Sequence, residues 1–190
     1  MNLGKDTFDT FLKDYTKFLI EHKTSMHILF LQETGKRKLD ELLDAINDAI
    51  SSMCGQRPFH TKRAVVAKHA KKRDAAIAWN EHAWKKFFMG ISVPDDEPCY
   101  YMLSNNNFQY VALEEIDSKM KFLLISYHAE QSGLSIKDKQ DNLKKLLGWV
   151  RNCVTKKDIL ALVGGDFNLP ENEVEKCLDK VKLLITFWTY

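Results

Sequence analysis

The sequence contains no hydrophobic run long enough to cross a bilayer. Purely apolar stretches such as Ile28–Leu31 and Leu160–Val163 are only a few residues long, whereas a spanning helix needs about 20. The first residues, Met1–Asp6, also lack the basic start and apolar core of a secretory signal peptide. We therefore expect a soluble protein of the cytoplasm or nucleus that does not associate with a membrane.

Cysteine is scarce as well, and the four cysteines are widely spread: Cys54, Cys99, Cys153 and Cys177. The absence of a Cys-x-x-Cys pair argues against a zinc site and against a dense disulfide framework, so we expect reduced thiols. No repeat and no seam rich in glycine, proline or serine divides the chain. With 45% hydrophobic and 28% charged residues, the composition excludes disorder and predicts a single domain over residues 1–190.

The chain has no large excess of charge, because its formal net charge is only +2. The basic residues are nevertheless clustered: the segment from Arg57 to Arg73 holds seven Lys or Arg and no Asp or Glu. This segment is either a solvated loop or, with Phe59, His60 and His69 interleaved, a contact for a nucleic-acid backbone. The candidate nucleic-acid-binding residues are Arg57, Lys62, Arg63, Lys71, Lys72 and Arg73.

Apolar residues at helical spacing predict three amphipathic helices and a short fourth. The first helix carries Phe8, Phe11, Leu12, Tyr15, Phe18 and Leu19 on one face, and the second carries Leu39, Leu42, Leu43, Ile46, Ile50 and Met53. Ser135 and Asp138 form a capping pair for the third helix, whose core stripe is Leu143, Leu146, Leu147 and Val150. A short helix is predicted around Glu173–Leu178.

Strands alternate with these helices. We predict strands over Met26–Leu31, Ala64–Ala67, Ala75–Asn80, Gln109–Ile116, Met120–His128, Asp158–Val163 and Lys182–Phe187. The fourth and fifth form a hairpin through Asp117-Ser118-Lys119, and the sixth ends at Gly164-Gly165. This alternation predicts an α/β or α+β sandwich in which helices cover sheets.

Polar residues follow three of these strands directly. Glu33 follows the first strand, His128 ends the hairpin, and Asp166 and Asn168 follow Gly164-Gly165. Ligand sites tend to lie beyond the carboxyl ends of strands, so these side chains are expected to face one another if the strands share an orientation. In an extended segment Asp166 and Asn168 point to the same side and Phe167 to the other. Carboxylate and amide oxygens suit Mg²⁺, and a nearby imidazole can move protons near neutral pH.

Three segments resemble, in order and spacing, motifs of the endonuclease/exonuclease/phosphatase superfamily with its deoxyribonuclease-I-like fold. They are Leu31-Gln32-Glu33-Thr34, Ser126-Tyr127-His128 and Gly164-Gly165-Asp166-Phe167-Asn168-Leu169-Pro170. The resemblance extends from about Asn2 to Asn168, and the Gly-Asp-Phe-Asn segment is its most specific part. It implies a four-layer sandwich of two β-sheets flanked by helices. It also implies hydrolysis of phosphate esters with Mg²⁺, or with Mn²⁺ as an alternative.

The same resemblance implies a role for each matching residue. Glu33 would be a metal ligand, and Asn2 loosely matches an asparagine near the metal. Asp166 and Asn168 would orient and activate the attacking water and contact the phosphate. His128 would hydrogen-bond the phosphate and assist proton transfer.

The chain also departs from the family pattern. No Asp-His dipeptide follows Asn168, although the family carries a Ser-Asp-His motif there, and Lys68-His69 stands where deoxyribonucleases place a glutamate. Two functions therefore stay open. One is a metal-dependent phosphodiesterase that cuts DNA or RNA. The other is a catalytically impaired fragment or pseudo-enzyme that binds nucleic acid or protein.

Overall fold

The computed structural model describes residues 10, 13, 14, 17, 28–32, 41, 43–45, 47, 48, 75–81, 83–90, 93, 97–99, 107–129, 133–155, 157 and 159–178. These residues form two sheets. One pairs β1 (Ile28–Gln32) with β2 (Ala75–Trp79), and the other has the order β3 (Trp84–Lys86), β4 (Phe108–Glu115), β5 (Lys121–His128) and β6 (Leu160–Asp166). Helix α1 (Ile136–Thr155) joins β5 to β6, and helix α2 (Glu171–Leu178) follows β6.

The predicted hairpin is present as β4 and β5, which pair antiparallel from Phe108↔Tyr127 to Glu114↔Lys121. The turn lies at the predicted Asp117-Ser118-Lys119, where Lys119 adopts a φ of 62°. Strand β6 then pairs parallel with β5, as expected for a strand–helix–strand unit.

Helix α1 begins as predicted. Ser135 Oγ donates to Asp138 Oδ2 at 2.6 Å, and the Asp138 N–H donates back to Ser135 Oγ at 3.2 Å. The predicted core stripe is fully buried: Leu143, Leu146, Leu147 and Val150. No helix in the described part of the chain is both long and apolar enough to cross a membrane.

The two faces of the four-stranded sheet have different coverings. Leu123 and Ile125 of β5 lie in a hydrophobic cluster with the α1 stripe. Leu124, between them, lies in a second cluster with Ile77 and Trp79 of β2. Alternate side chains of a strand point to opposite faces, so this sheet is packed between the helices and the β1–β2 sheet. The predicted class, a sandwich of two sheets with helices, is confirmed.

The end of β6 differs from the prediction by more than the one-residue shifts seen at the ends of β2, β4 and β5. Strand β6 does not end at Gly164-Gly165 but continues through both glycines to Asp166, which pairs with His128. Gly165 has a φ of 141°, and a Cβ there would overlap the carbonyl oxygen of Tyr127. Glycine permits both the dihedral and the close approach, so it extends the pairing here instead of stopping it.

Other predictions fall partly or wholly outside the described residues. Thr10, Lys13, Asp14 and Lys17 are helical and exposed, but the apolar stripe of the first helix is outside. In the second helix Leu43 is buried, as predicted. The predicted strands Ala64–Ala67 and Lys182–Phe187 lie outside, and a single domain over residues 1–190 stays a prediction.

Candidate functional site

The carboxyl ends of β5 and β6 lie side by side. His128 and Asp166 are register partners, and the Ala129 N–H donates to the Asp166 carbonyl at 2.8 Å. Register partners in parallel strands point to the same face, so both side chains share the face on which Ser126 contacts β1. His128 is buried, with 4% of its surface exposed, whereas Asp166 is exposed. Two of the residues predicted to lie at a common edge are thus register partners at the ends of β5 and β6.

The end of β1 is fixed against β5 at the same edge. Gln32 Nε2 donates to Ser126 Oγ at 3.0 Å, and Ser126 Oγ donates to the Leu31 carbonyl at 3.3 Å. Both side chains are buried, and Ser126 lies two residues before the end of β5. A Cβ at Gly164 would lie 2.7 Å from the Phe30 ring, so glycine allows the two sheets to approach closely here. The carboxyl ends of β1, β5 and β6 therefore converge.

The segment from Asp166 to Asn168 differs from the extended arrangement that the sequence predicted. The Asn168 N–H donates to Asp166 Oδ1 at 2.9 Å, and Asn168 has a left-handed φ of 46°. This is an Asx turn, in which an aspartate side chain accepts from the backbone two residues later. Phe167 is buried as expected, and its ring packs on Tyr127 with centroids 5.8 Å apart.

Asn168 is held from two further directions. Its Nδ2 donates to the Ala129 carbonyl at 2.7 Å, and its own carbonyl accepts from Lys139 Nζ at 3.3 Å. Because the Asn168 amide nitrogen binds the Ala129 carbonyl, the Asn168 amide oxygen points away from Ala129. No sequence pattern pointed to Lys139, since its contact with Asn168 joins residues that are 29 positions apart.

The donor chemistry at this edge fits Mg²⁺ in kind. Asp166 offers a carboxylate and Asn168 an amide oxygen, and Mg²⁺ is usually held by one or two carboxylates together with water and substrate oxygens. Within the described ranges, no group of three or more His, Cys, Asp or Glu side chains is placed to hold a metal. The predicted ligands Glu33 and Asn2 lie outside these ranges, although Glu33 directly follows Gln32 in the sequence.

The predicted nucleic-acid contacts are six basic residues between Arg57 and Arg73. They all lie outside the described residues: Arg57, Lys62, Arg63, Lys71, Lys72 and Arg73. Their role stays a prediction.

Comparison with solved structures identifies the fold. TDP2 from C. elegans superposes with a TM-score of 0.54 at 18% identity, over 90% of this chain and 46% of that one. Mannosyl-6-phosphatase from Bacteroides thetaiotaomicron superposes with a TM-score of 0.61 at 13% identity, over 94% of this chain and 66% of that one. D. rerio TDP2 complexed with a single-strand DNA product superposes with a TM-score of 0.53 at 13% identity, over 90% of this chain and 58% of that one.

The chain thus spans about half the length of C. elegans TDP2. No family model and no curated protein matches the sequence. Identities of this size support a conclusion about the fold alone. The sheet order, the helix between β5 and β6 and these superpositions agree on that conclusion: the chain has a deoxyribonuclease-I-like fold.

Proposed function

We propose that this chain is a metal-dependent phosphoesterase that hydrolyses phosphodiester bonds in nucleic acid. The observation that carries the proposal is the placement of His128, Asp166 and Asn168 together at the ends of β5 and β6. Two separate sequence motifs thereby meet at one edge of the fold, and Gln32 of the third motif contacts β5 close to it. Solved structures of similar fold include a mannosyl-6-phosphatase and TDP2 complexed with a single-strand DNA product.

The proposed reaction adds water across a phosphodiester. The water oxygen bonds to phosphorus, the P–O bond to the leaving group breaks, and a proton passes to the leaving oxygen. A bound Mg²⁺ would supply charge stabilisation for the phosphoryl oxygens, with Mn²⁺ as an alternative. Asp166 and Asn168, together with the predicted ligands Glu33 and Asn2, are the candidates for holding that ion and its waters.

The hydrogen bonds of Asp166 and Asn168 support a role for each of them, and the role of His128 is the one that the motif resemblance implies. Asp166 Oδ1 is occupied by the Asn168 N–H, so the other carboxylate oxygen is the one that would orient the attacking water and accept its proton. The Asn168 amide is fixed by its bond to Ala129 and can contact the phosphate without reorganising, which is the condition for effective electrostatic stabilisation. The His128 imidazole would hydrogen-bond the phosphate and assist proton transfer.

Nucleic acid is the proposed substrate class for two reasons. The sequence clusters seven basic residues between Arg57 and Arg73, which suits a polyanionic backbone. One of the similar structures is that of D. rerio TDP2 complexed with a single-strand DNA product. DNA or RNA is therefore the proposed partner, and no membrane partner is proposed.

A substrate panel tests this proposal. The purified chain would be incubated with labelled single-stranded and double-stranded DNA, with RNA and with a sugar phosphate, each with Mg²⁺ and with EDTA. We expect Mg²⁺-dependent cleavage of a nucleic acid and loss of that cleavage in Asn168→Ala. Asn172→Ala, which changes an exposed asparagine of α2, is the matched control and should cleave like the wild type.

The panel also separates this proposal from its alternatives. Cleavage of the sugar phosphate alone would show that the chain is a phosphomonoesterase and would refute the nuclease proposal. Binding of nucleic acid that weakens steeply with salt, without turnover in any condition, would refute catalysis and identify a binding module.

A further inference from the structure

Lys139 connects helix α1 to the turn that carries the candidate site. Its Nζ donates to the main-chain carbonyl of Asn168 at 3.3 Å, and both residues are partly buried. Lys139 belongs to none of the three motifs found in the sequence. Lys139 therefore has no role yet in the proposed function, although it contacts Asn168, which does.

Asn168 adopts a left-handed backbone conformation that several contacts support. Its φ of 46° lies in the left-handed region, which residues other than glycine adopt infrequently. Three hydrogen bonds hold it: its N–H to Asp166, its side-chain amide to Ala129, and its carbonyl from Lys139. The first two come from residues next to the strand ends, whereas the third comes from a helix.

Lys139 is itself anchored. It lies in the first turns of α1, immediately after the capping pair of Ser135 and Asp138. The next residue, Gln140, donates to Glu173 of α2 at 2.5 Å. The Lys139 ammonium thus reaches the Asp166–Asn168 turn from a helix that is capped at its start and connected to α2.

We propose that Lys139 is a positioning residue of the phosphoester site. By binding the Asn168 carbonyl, it keeps the left-handed conformation from which the amide faces the substrate phosphate. This inference rests on the proposed function. Without the ammonium, the Asn168 peptide loses its charged donor, and the amide samples orientations that do not meet the phosphate. Small displacements of such groups reduce turnover strongly.

Three variants test this role. Lys139→Met keeps the aliphatic stem and removes the charge, Lys139→Arg keeps a cationic donor, and Lys137→Met removes an exposed lysine of the same helix as a control. We expect Lys139→Met to lower kcat on the best-cleaved nucleic acid about 10-fold with KM nearly unchanged. Lys139→Arg should recover most of the loss, and Lys137→Met should resemble the wild type.

A spectroscopic readout accompanies the kinetics and does not depend on activity. In ¹H–¹⁵N spectra, Lys139→Met should shift the backbone and side-chain amide resonances of Asn168 and accelerate their hydrogen exchange, whereas Lys137→Met should not. Unchanged Asn168 resonances, or changed resonances with an unchanged kcat, would overturn the proposal. A rise in KM with kcat unchanged would also overturn it, because it would indicate direct phosphate binding by Lys139.

Failure of the proposed function is read from the wild-type protein alone. If the wild type cleaves no substrate of the panel with Mg²⁺ or Mn²⁺, the phosphoesterase proposal fails and Lys139 has no catalytic group to position. If the wild type cleaves and the Lys139 variants behave like it, only the inference about Lys139 fails.

Discussion

Replacing Ser126 with alanine should destabilise the protein by removing a buried polar link between its two sheets. Ser126 is fully buried, and its hydroxyl joins Gln32 Nε2 at 3.0 Å to the Leu31 carbonyl at 3.3 Å. Removing one partner of a buried hydrogen bond costs about 1–3 kcal/mol. Ser126→Ala removes a partner of two such bonds, but the bond to Leu31 is long and contributes less. We therefore expect the free energy of unfolding to fall by about 2–3 kcal/mol in total. In a domain of this size that corresponds to a fall in Tm of roughly 4–12 °C.

Urea unfolding followed by circular dichroism measures this loss, and a double-mutant cycle assigns it to the bridge. Gln32→Met alone removes the amide donor, and Gln32→Met with Ser126→Ala removes both polar partners. Because replacing both partners can be nearly neutral, the double variant should be more stable than the sum of the single effects by about 1–2 kcal/mol. Additive effects, or a Ser126→Ala loss below about 0.5 kcal/mol, would refute the bridge as a significant link between the sheets.

Gly165, Asp138 and Cys99 allow tests of stability, pH dependence and thiol reactivity. Gly165→Ala should cost about 2 kcal/mol or more in urea unfolding because its Cβ overlaps a neighbouring carbonyl at a φ of 141°, whereas Gly148→Ala, with open space in α1, should not destabilise. Hydrogen bonds from the N-cap serine lower the pKa of Asp138 below its usual 3.8. The stability lost in Asp138→Asn should therefore be constant at neutral pH and vanish as the pH falls through the folded pKa; a constant difference down to pH 2 would contradict this. Burial, followed by the Glu97 carboxylate, raises the pKa of the Cys99 thiol to about 12. Iodoacetamide at pH 8 should therefore modify Cys99 more slowly than the half-buried Cys153. Equal rates of modification, measured by mass spectrometry, would contradict this prediction.

Local patterns were sufficient to predict the elements that depend on local chemistry. The capping pair of Ser135 and Asp138 forms because a serine hydroxyl and a carboxylate three residues apart satisfy helix N–H groups. The β4–β5 hairpin forms where a polar turn separates two apolar runs. The grouping of His128 with Asp166 was also predicted, because carboxyl ends of parallel strands meet at one edge.

Features set by tertiary contacts were not predictable in the same way. Glycine usually marks a turn, yet Gly165 lies inside β6 because its close approach to Tyr127 excludes a side chain. The extended arrangement expected for Asp166 and Asn168 is replaced by an Asx turn, which closes locally on Asp166 Oδ1. Lys139 and Ala129 then bind Asn168 from outside the segment. No periodicity or spacing in the sequence reports such contacts.

The central claim is that the edge formed by β5 and β6 hydrolyses phosphodiesters. The initial rate of Mg²⁺-dependent cleavage of the best nucleic-acid substrate tests it most directly in the wild type, in Asp166→Asn and in Asp117→Asn. Asp117 lies in the turn at the opposite end of β5 and is exposed, so its variant controls for the loss of a carboxylate. We expect Asp166→Asn to lose at least about 100-fold in rate and Asp117→Asn to keep the wild-type rate. Equal rates for the wild type and Asp166→Asn would contradict the assignment.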